Sequence, residues 1–331
     1  MTTNTGQVSP RIQKFVLYLL VIFALLATVV LVGYIWNSQI ALSRDHHLTY
    51  AGARFLLWDP VIRGPERFRE GSVHWYLNRE DLTMTPAAAA HLANNYENTL
   101  VMGLRQLSPS VARGLSQTRH AMSFLNFEFT SPELLAAVVS GRCPNLKLPI
   151  PNLTEACAKA LSQFKGDYLT LTQMSGLSPE AAKALSRCGT VGLSLEGLDH
   201  LSGEAAEELS RCRADWLTIG GGYQKTSSGT LSLRSLDSIS ETTASALSRF
   251  QGRSLTLYVK HISEEVAVAL SHYPGFLALR RLETLPDAAA HALAGRKLLK
   301  VGSGDSNGPH QLEKLPASAA AILRAANNNS P

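Results

Sequence analysis

The stretch GGGYQKTS, residues 220–227, places three glycines and a lysine in an order close to that of a phosphate-binding loop. Such a loop needs glycine immediately before the lysine, because its backbone N–H groups must wrap around the phosphates. Gln224 occupies that position here, and the apolar alternation of LSL that follows at 231–233 is that of a strand. The sequence therefore predicts no nucleotide site in this stretch.

The four cysteines are the residues most suited to metal or redox chemistry: Cys143, Cys157, Cys188 and Cys212. No two of them form a C-x-x-C pair, which disfavours a zinc or redox site. Cys188 and Cys212 occupy equivalent places in two copies of a repeat. A disulfide, however, needs Cα atoms about 4.4–6.8 Å apart, and adjacent helix-side positions are usually wider. We expect buried, unpaired thiols.

Catalytic motifs are absent from the sequence. The ten histidines show no metal-ligand spacing, and there is no G-x-S-x-G, H-E-x-x-H or paired-carboxylate arrangement. His200, His261 and His272 fall at turns or helix ends, which is typical of a variable surface. The sequence therefore predicts no enzyme, catalytic residue, metal or cofactor. A hydrolase with a site assembled from distant residues is the remote alternative.

The chain repeats one pattern in steps of 22 to 24 residues. Residues 169–192 read LTLTQMSGLSPEAAKALSRCGTVG, and residues 193–213 read LSLEGLDHLSGEAAEELSRCR. A fixed period of this length predicts a solenoid in which each unit stacks on the next. A degenerate copy starts at Leu77, the last copy ends near Ala326, and the other copies begin at Leu100, Ser123, Leu146, Leu231, Leu255 and Leu277.

Each unit combines a short strand, L-x-L, with a turn and a helix. In the copy at 169, Ser178 is the expected N-cap, Pro179 takes the first helical position, and Gly189 is placed to end the helix. A helix of about nine residues is marginal alone, so it needs its neighbours. Strands lie about 4.7–4.9 Å apart and helices about 8–10 Å apart, so the stack should curve with its strands inside.

This pattern resembles the bacterial leucine-rich-repeat-like proteins, whose units follow L-x-L-x-G-L-x-x-L-S-x-E-A-A-x-A-L. The resemblance covers Leu77 to about Ala326 and implies a binding or scaffolding horseshoe with no catalytic residue. The expected fold is thus an α/β, curved solenoid of about ten units. The family's usual asparagine, three positions beyond L-x-L, is replaced, so apolar stacking must substitute for an asparagine ladder. The replacing residues are Met174, Leu198, Leu236 and Leu282.

The outward residues of the strands should form the concave face of the stack. The binding candidates on this face are Lys147, Glu196, Arg234, Tyr258, Arg280 and Lys300, accompanied by Thr170, Thr172, Ser194, Ser232 and Thr256. Arg234, Tyr258 and Arg280 should lie about one strand spacing apart, ~5 Å at Cα. From Arg234 onward the face is basic with one aromatic ring, which suits an acidic partner. An ordinary solvated sheet face is the alternative at each position.

The segment from Phe15 to Trp36 is 22 residues long and uncharged. As a helix it would span about 33 Å, enough for a hydrocarbon core of ~30 Å. A cleaved signal peptide is the alternative, although its apolar core should be only about 7–15 residues long. Arg11 and Lys14 precede the segment and Arg44 follows it. By a margin of one charge, the positive-inside rule places the N-terminus in the cytoplasm and the repeats outside.

The sequence predicts five consecutive regions. They are a cytoplasmic tail (1–14), a transmembrane helix (15–36), a linker and N-terminal cap (37–76), the repeat domain (77–326, with an insertion around 217–230) and a short tail (327–331). A small separate recognition module is the alternative for 37–76.

Charge distribution and architecture together give the predicted function. The net charge of +5 is scattered without a basic stripe, which disfavours a nucleic-acid partner. We expect a single-pass protein of the cell membrane. Its extracytoplasmic repeats should bind a protein or an acidic envelope polymer through the concave face. A structural spacer of the envelope, without a specific ligand, is the alternative.

Overall fold

The structure is a computed structural model, and it describes most of the repeat region. The described residues are 28, 47–49, 53, 82–96, 99–104, 106–125, 127, 129–221, 223–225, 231–233, 235–296, 299–302 and 315–328. Within these ranges no helix is both long and apolar enough to cross a bilayer. The predicted transmembrane segment 15–36 lies outside them, apart from Thr28.

Strands and helices alternate along the described chain, as predicted for an α/β repeat. The elements in order are β1 (His47–Leu48), β2 (Thr83–Met84), α1 (Pro86–Asn95), β3 (Leu100–Met102), α2 (Pro109–Leu115), β4 (Met122–Phe124), α3 (Pro132–Val139), β5 (Asn145–Pro149), α4 (Glu155–Leu161), β6 (Tyr168–Thr172), α5 (Pro179–Leu185), β7 (Gly192–Leu195), α6 (Gly203–Ser210), β8 (Trp216–Ile219), β9 (Tyr223–Lys225), β10 (Leu231–Leu233), α7 (Glu241–Leu247), β11 (Ser254–Tyr258), α8 (Glu264–Ser271), β12 (Phe276–Arg280), α9 (Asp287–Ala294), β13 (Leu299–Gly302) and α10 (Ala317–Asn328).

Nine of these strands form one parallel sheet whose order follows the chain: β3, β4, β5, β6, β7, β8, β11, β12, β13. The two leucines of each L-x-L pair with the leucines of the units on either side, as Leu193 does with Leu169 and Leu217. Each helix from α1 to α10 packs on the next. This repeating architecture is consistent with a repeat solenoid. In a separate pair, β1 lies parallel to β2.

The helices begin as the sequence predicts. The Ser178 side chain accepts a hydrogen bond from the Ala181 N–H at 3.2 Å, and Pro179 occupies the first helical position. Equivalent serine or threonine caps begin α1 to α8, whereas α9 begins after Pro286 without a side-chain cap. Each cap satisfies a backbone N–H that a helix leaves unpaired at its start.

The helices end differently from the prediction. The helix of the unit at 169 is seven residues long and ends at Leu185, so Gly189 is not its cap. Its C-cap is Ser186, whose hydroxyl donates to the Lys183 carbonyl at 2.9 Å. The same serine-to-carbonyl bond recurs at Ser162 and Ser248. The serine of the A-L-S motif therefore donates a hydrogen bond to a carbonyl of the last helical turn, which has no partner within the helix.

The predicted start of a unit at Leu231 is wrong. Strand β8, which contains Leu217 and Ile219, joins the sheet between β7 and β11, while β10 pairs antiparallel with β9 in a separate hairpin. The unit resumes at Leu236, whose N–H donates to the Tyr258 carbonyl at 2.8 Å. The stack is not interrupted, because the Thr243 hydroxyl still bonds to the Leu201 carbonyl across the insertion.

The core lies between the sheet and the helices and is built from leucine and alanine. Leu195, Ala181, Ala182 and Leu185 are fully buried. The four residues that replace the asparagine, Met174, Leu198, Leu236 and Leu282, are fully buried as well, as predicted. Their backbone is satisfied from the next unit: the Met174 N–H, for example, donates to the Glu196 carbonyl at 3.1 Å. Apolar stacking and inter-unit backbone bonds thus replace an asparagine ladder.

All four cysteines are buried and unpaired, as predicted. The Cys143 thiol donates to the Asn145 carbonyl at 3.1 Å, and the Cys188 thiol lies 3.6 Å from the Leu161 carbonyl. Burial raises the pKa of the Cys143 thiol to about 11 and also raises the pKa values of Cys188 and Cys212. These thiols pack in the core as small apolar groups.

Candidate functional site

The outward face of the sheet presents a row of small polar side chains. Thr170, Ser194, Thr218 and Thr256 lie side by side by strand register, and each is partly exposed. They alternate with the buried leucines because successive residues of a strand point to opposite faces. The face is therefore a hydroxyl-lined strip that crosses β6, β7, β8 and β11.

Two of the predicted binding residues neutralise each other. Lys147 on β5 reaches across β6, and its ammonium lies 3.3 Å from a carboxylate oxygen of Glu196, which follows β7. An exposed pair of this kind contributes little stability, about 0–1 kcal/mol. Its main effect is on the face itself, because it removes one free cation and one free anion from the strip.

Of the predicted row of Arg234, Tyr258 and Arg280, the structure describes the last two residues. Tyr258 and Arg280 are register partners on β11 and β12. On its other side Tyr258 meets Gly220, where a Cβ atom would lie 3.2 Å from the Tyr258 Cβ. Arg234 itself lies outside the described residues, and β10, which precedes it, is not a neighbour of β11.

Two glycines hold the backbone beside Tyr258. Gly220 and Gly221 both have φ of +78°, a conformation that favours glycine. A Cβ atom at Gly221 would lie 2.9 Å from the Tyr258 ring, so the ring packs against bare backbone. Gly220 and Gly221 therefore allow the close approach between strands at the point where the chain leaves the sheet.

Two other residues predicted for this face, Lys300 and Ser232, lie in different sheets. Lys300 on β13 is the register partner of Ala278, which is buried although it occupies an outward position. Ser232 lies in the β9–β10 hairpin and is therefore not part of the sheet face. The structure thus brings together Lys147 with Glu196, and Tyr258 with Arg280, as two separate groups.

An exposed aromatic pair is the feature of this face that the sequence prediction missed. Tyr168 and Trp216 are 37% and 44% exposed, and their rings stack with centroids 5.5 Å apart. Gly192 lies between them on β7, where a Cβ atom would come within 2.6 Å of the Tyr168 ring. The signal was present in the sequence: each aromatic directly precedes an L-x-L and so shares the outward parity of its middle residue.

The turns that follow the strands carry a polar row with a triad-like composition. The Nδ1 atom of His261 lies 2.8 Å from the Thr284 hydroxyl, and its Nε2 atom lies 3.9 Å from the Asp237 carboxylate. The latter distance is too long for the hydrogen bond that orients a catalytic histidine. Lys260 occupies the same carboxylate oxygen at 3.2 Å. The geometry favours a surface network between units.

Within the described ranges, no three histidine, cysteine or acidic side chains are placed to hold a metal ion. No protein-family model matches the chain. No curated protein matches it either. The case for a function therefore depends on the geometry of the outward sheet face.

Proposed function

We propose that this chain is a membrane-anchored binding protein whose repeats form a curved, leucine-rich-repeat-like solenoid and engage a partner through the outward sheet face. The curvature follows from the difference between strand and helix spacing, about 4.8 Å against 8–10 Å, in a stack with strands on one side only. The anchor is the apolar segment 15–36, which is long enough to span a bilayer.

The observation that carries this proposal is the clustering of exposed apolar side chains. Among the described residues, four large apolar side chains are exposed: Tyr168, Val191, Trp216 and Val268. Three of them lie at or immediately before the starts of three adjacent strands, β6, β7 and β8. Isolated exposed apolar residues are ordinary, but two exposed aromatic rings stacked on each other, with a third exposed apolar residue directly before the strand between them, are typical of an interaction site.

The chemistry of the face favours a protein partner. Tryptophan, tyrosine and arginine are the residues that most often dominate binding energy at protein interfaces. Here an aromatic pair lies on a strip of small hydroxyls, and Tyr258 and Arg280 lie further along the same face. The ion pair between Lys147 and Glu196 crosses β6 and leaves that part of the face electrically balanced. An envelope polymer is the other ligand class that an aromatic pair with hydroxyls would suit.

Site-specific photocrosslinking in intact cells tests this proposal. A photoreactive amino acid at position 218, beside Trp216 on the sheet face, should give one defined adduct with the full-length chain. The same amino acid at position 268 on α8 is the control on the helix side, because Val268 is an exposed residue of that side, at 44%. Tyr168→Ala combined with Trp216→Ala should reduce the adduct at least about tenfold.

The alternatives give different results in the same experiment. Equal labelling from positions 218 and 268, or no defined adduct from either, would favour a structural spacer. A heterogeneous adduct sensitive to glycosidases would identify an envelope polymer. Arg280→Glu should weaken the adduct if the partner is acidic. The anchor is tested separately, because protease added after opening only the outer barrier should digest the repeats.

A further inference from the structure

A cleft of about 400 Å³ lies on the helix side of the repeats, between the C-terminal ends of α5 and α6. Its lining is almost entirely charged: Lys183, Ser186, Arg187, Glu208, Arg211 and Arg213. It is therefore distinct in place and in chemistry from the aromatic pair on the sheet face. A volume of this order is in the range of small-molecule sites, about 300–1,000 Å³.

The carboxylates near the cleft are already engaged. The Arg211 guanidinium donates to Glu207 at 2.9 Å and to Glu208 at 2.8 Å. No ion pair involves Lys183, Arg187 or Arg213 within the described part of the chain. Three of the cations that line the cleft thus form no ion pair within the described residues, although the charge of Lys183 also interacts with that of Glu155.

Helix dipoles account for only part of this arrangement. A cation near the last turn is favourable, because helix C-termini carry a partial negative charge. Cations near the ends of the neighbouring helices serve that purpose too, Lys159 and Lys165 at α4 and Arg249 at α7. Around the ends of α5 and α6 there are four cations, and unpaired like charges at short range repel one another. A bound anion would remove that repulsion.

We propose that this cleft binds a phosphate group that carries two negative charges. Guanidinium groups present forked N–H donors that match phosphate oxygens, and Arg187 and Arg213 are both free to donate. Lys183 adds a compact charge from the last turn of α5. The volume admits a phosphate together with part of the molecule that carries it. A free phosphate compound and a phospholipid headgroup share this chemistry.

Titration of the purified full-length chain in a non-ionic detergent, with inorganic pyrophosphate as the probe, tests the proposal. Calorimetry should show saturable binding that weakens as salt is raised. Arg187→Gln combined with Arg213→Gln should lower the affinity at least about tenfold, because two charge-assisted hydrogen bonds are lost. Both side chains are exposed and unpaired, so the melting transition should stay nearly unchanged.

The matched control is Lys165→Gln combined with Arg249→Gln, which removes two cations from helix ends that do not line the cleft. This variant should bind pyrophosphate within twofold of the wild type. Binding to phosphatidic acid vesicles without binding to pyrophosphate would support the site and assign it to a lipid headgroup. Equal loss in both variants would overturn the proposal. So would binding of an oligo-aspartate peptide as tight as that of pyrophosphate, or no binding to any phosphate probe.

Discussion

The connections from helix to strand are filled in two ways. After α4 and α7 the chain places an aromatic ring inside and a glycine two residues later: Phe164 with Gly166, and Phe250 with Gly252. A Cβ atom on either glycine would lie 2.3 Å from the Cζ atom of its ring. The ring therefore occupies the space that a side chain at the glycine would need.

After α5 and α6, a residue smaller than phenylalanine takes the first of these positions, and a residue larger than glycine takes the second. Cys188 is followed by Thr190, and Cys212 by Ala214, and all four are buried. In both solutions the two positions share one space, so a larger group at the first position goes with a smaller group at the second. These two units are also the ones that present Val191, Arg213 and Trp216 at the surface. Small buried residues in these two connections thus coincide with large apolar or charged side chains at the surface of the same units.

The largest effect is expected from replacing the buried ring of one connection with a cysteine. Phe250→Cys should lower the free energy of unfolding by about 3–5 kcal/mol, because it leaves a cavity and removes the stacking of this ring on Tyr273. Urea denaturation of the full-length chain measures the change. Cys212→Ala, the matched control in a central unit, should cost about 1 kcal/mol. A loss below about 1 kcal/mol for Phe250→Cys would show that the connection collapses around the gap.

The next largest effect tests whether the cost of a methyl group at the glycine position depends on the residue at the ring position. Gly252→Ala should cost about 1–3 kcal/mol, because its methyl group overlaps the Phe250 ring. In the Phe250→Cys background the same substitution should cost much less or recover stability. The coupling energy from the double-mutant cycle is the measurement. Additive costs would contradict the volume exchange.

Alkaline pH should lower the stability of the chain through the buried thiol of Cys143. Burial raises the pKa of Cys143 from an ordinary 9.0 to about 11. Above pH 9 the unfolded chain loses this proton while the folded chain keeps it, so stability is complete below pH 9 and falls as pH rises towards 11. The loss from this thiol should be roughly 3 kcal/mol. Denaturation of Cys143→Ala alongside the wild type isolates it, and parallel pH profiles would refute the assignment.

The smallest effect is expected on the outward face of a central unit. Ser194→Ala should change the free energy of unfolding by less than about 0.5 kcal/mol, because the side chain is partly exposed and packs against no core. Leu195→Ala, one residue further and fully buried, should cost about 2–5 kcal/mol. Denaturant melts compare the two. Similar losses would mean that the outward strip contributes to the fold as much as the core does.

Local patterns predict the parts of this fold that local chemistry decides. The alternation in L-x-L places Leu195 inside, and the serine and proline of the S-P-E motif begin a helix at Pro179, because each depends on a few adjacent residues. The choice between LTI at 217–219 and LSL at 231–233 is different. Both are adequate strands, and pairing with β7 and β11 selects the first.

The sites depend on partners that are distant in sequence. Lys147 meets Glu196 two strands away, and Tyr168 meets Trp216 only because Gly192 leaves room between them. The cations of the helix-side cleft come from two units, and no single repeat shows the excess. Spacing within one unit therefore predicts which face a residue occupies, but not which residues of other units it will meet.

The β9–β10 hairpin is a suitable site for the insertion of an additional domain. The chain leaves the stack after Gly221 and rejoins it by Leu236, while α6 and α7 stay packed as if the units were directly joined. Lengthening a loop of this kind costs only about 0.6 kcal/mol for each doubling. A fluorescent reporter or an affinity module grafted between Lys225 and Leu231 would thus travel with the repeats without disturbing their stacking.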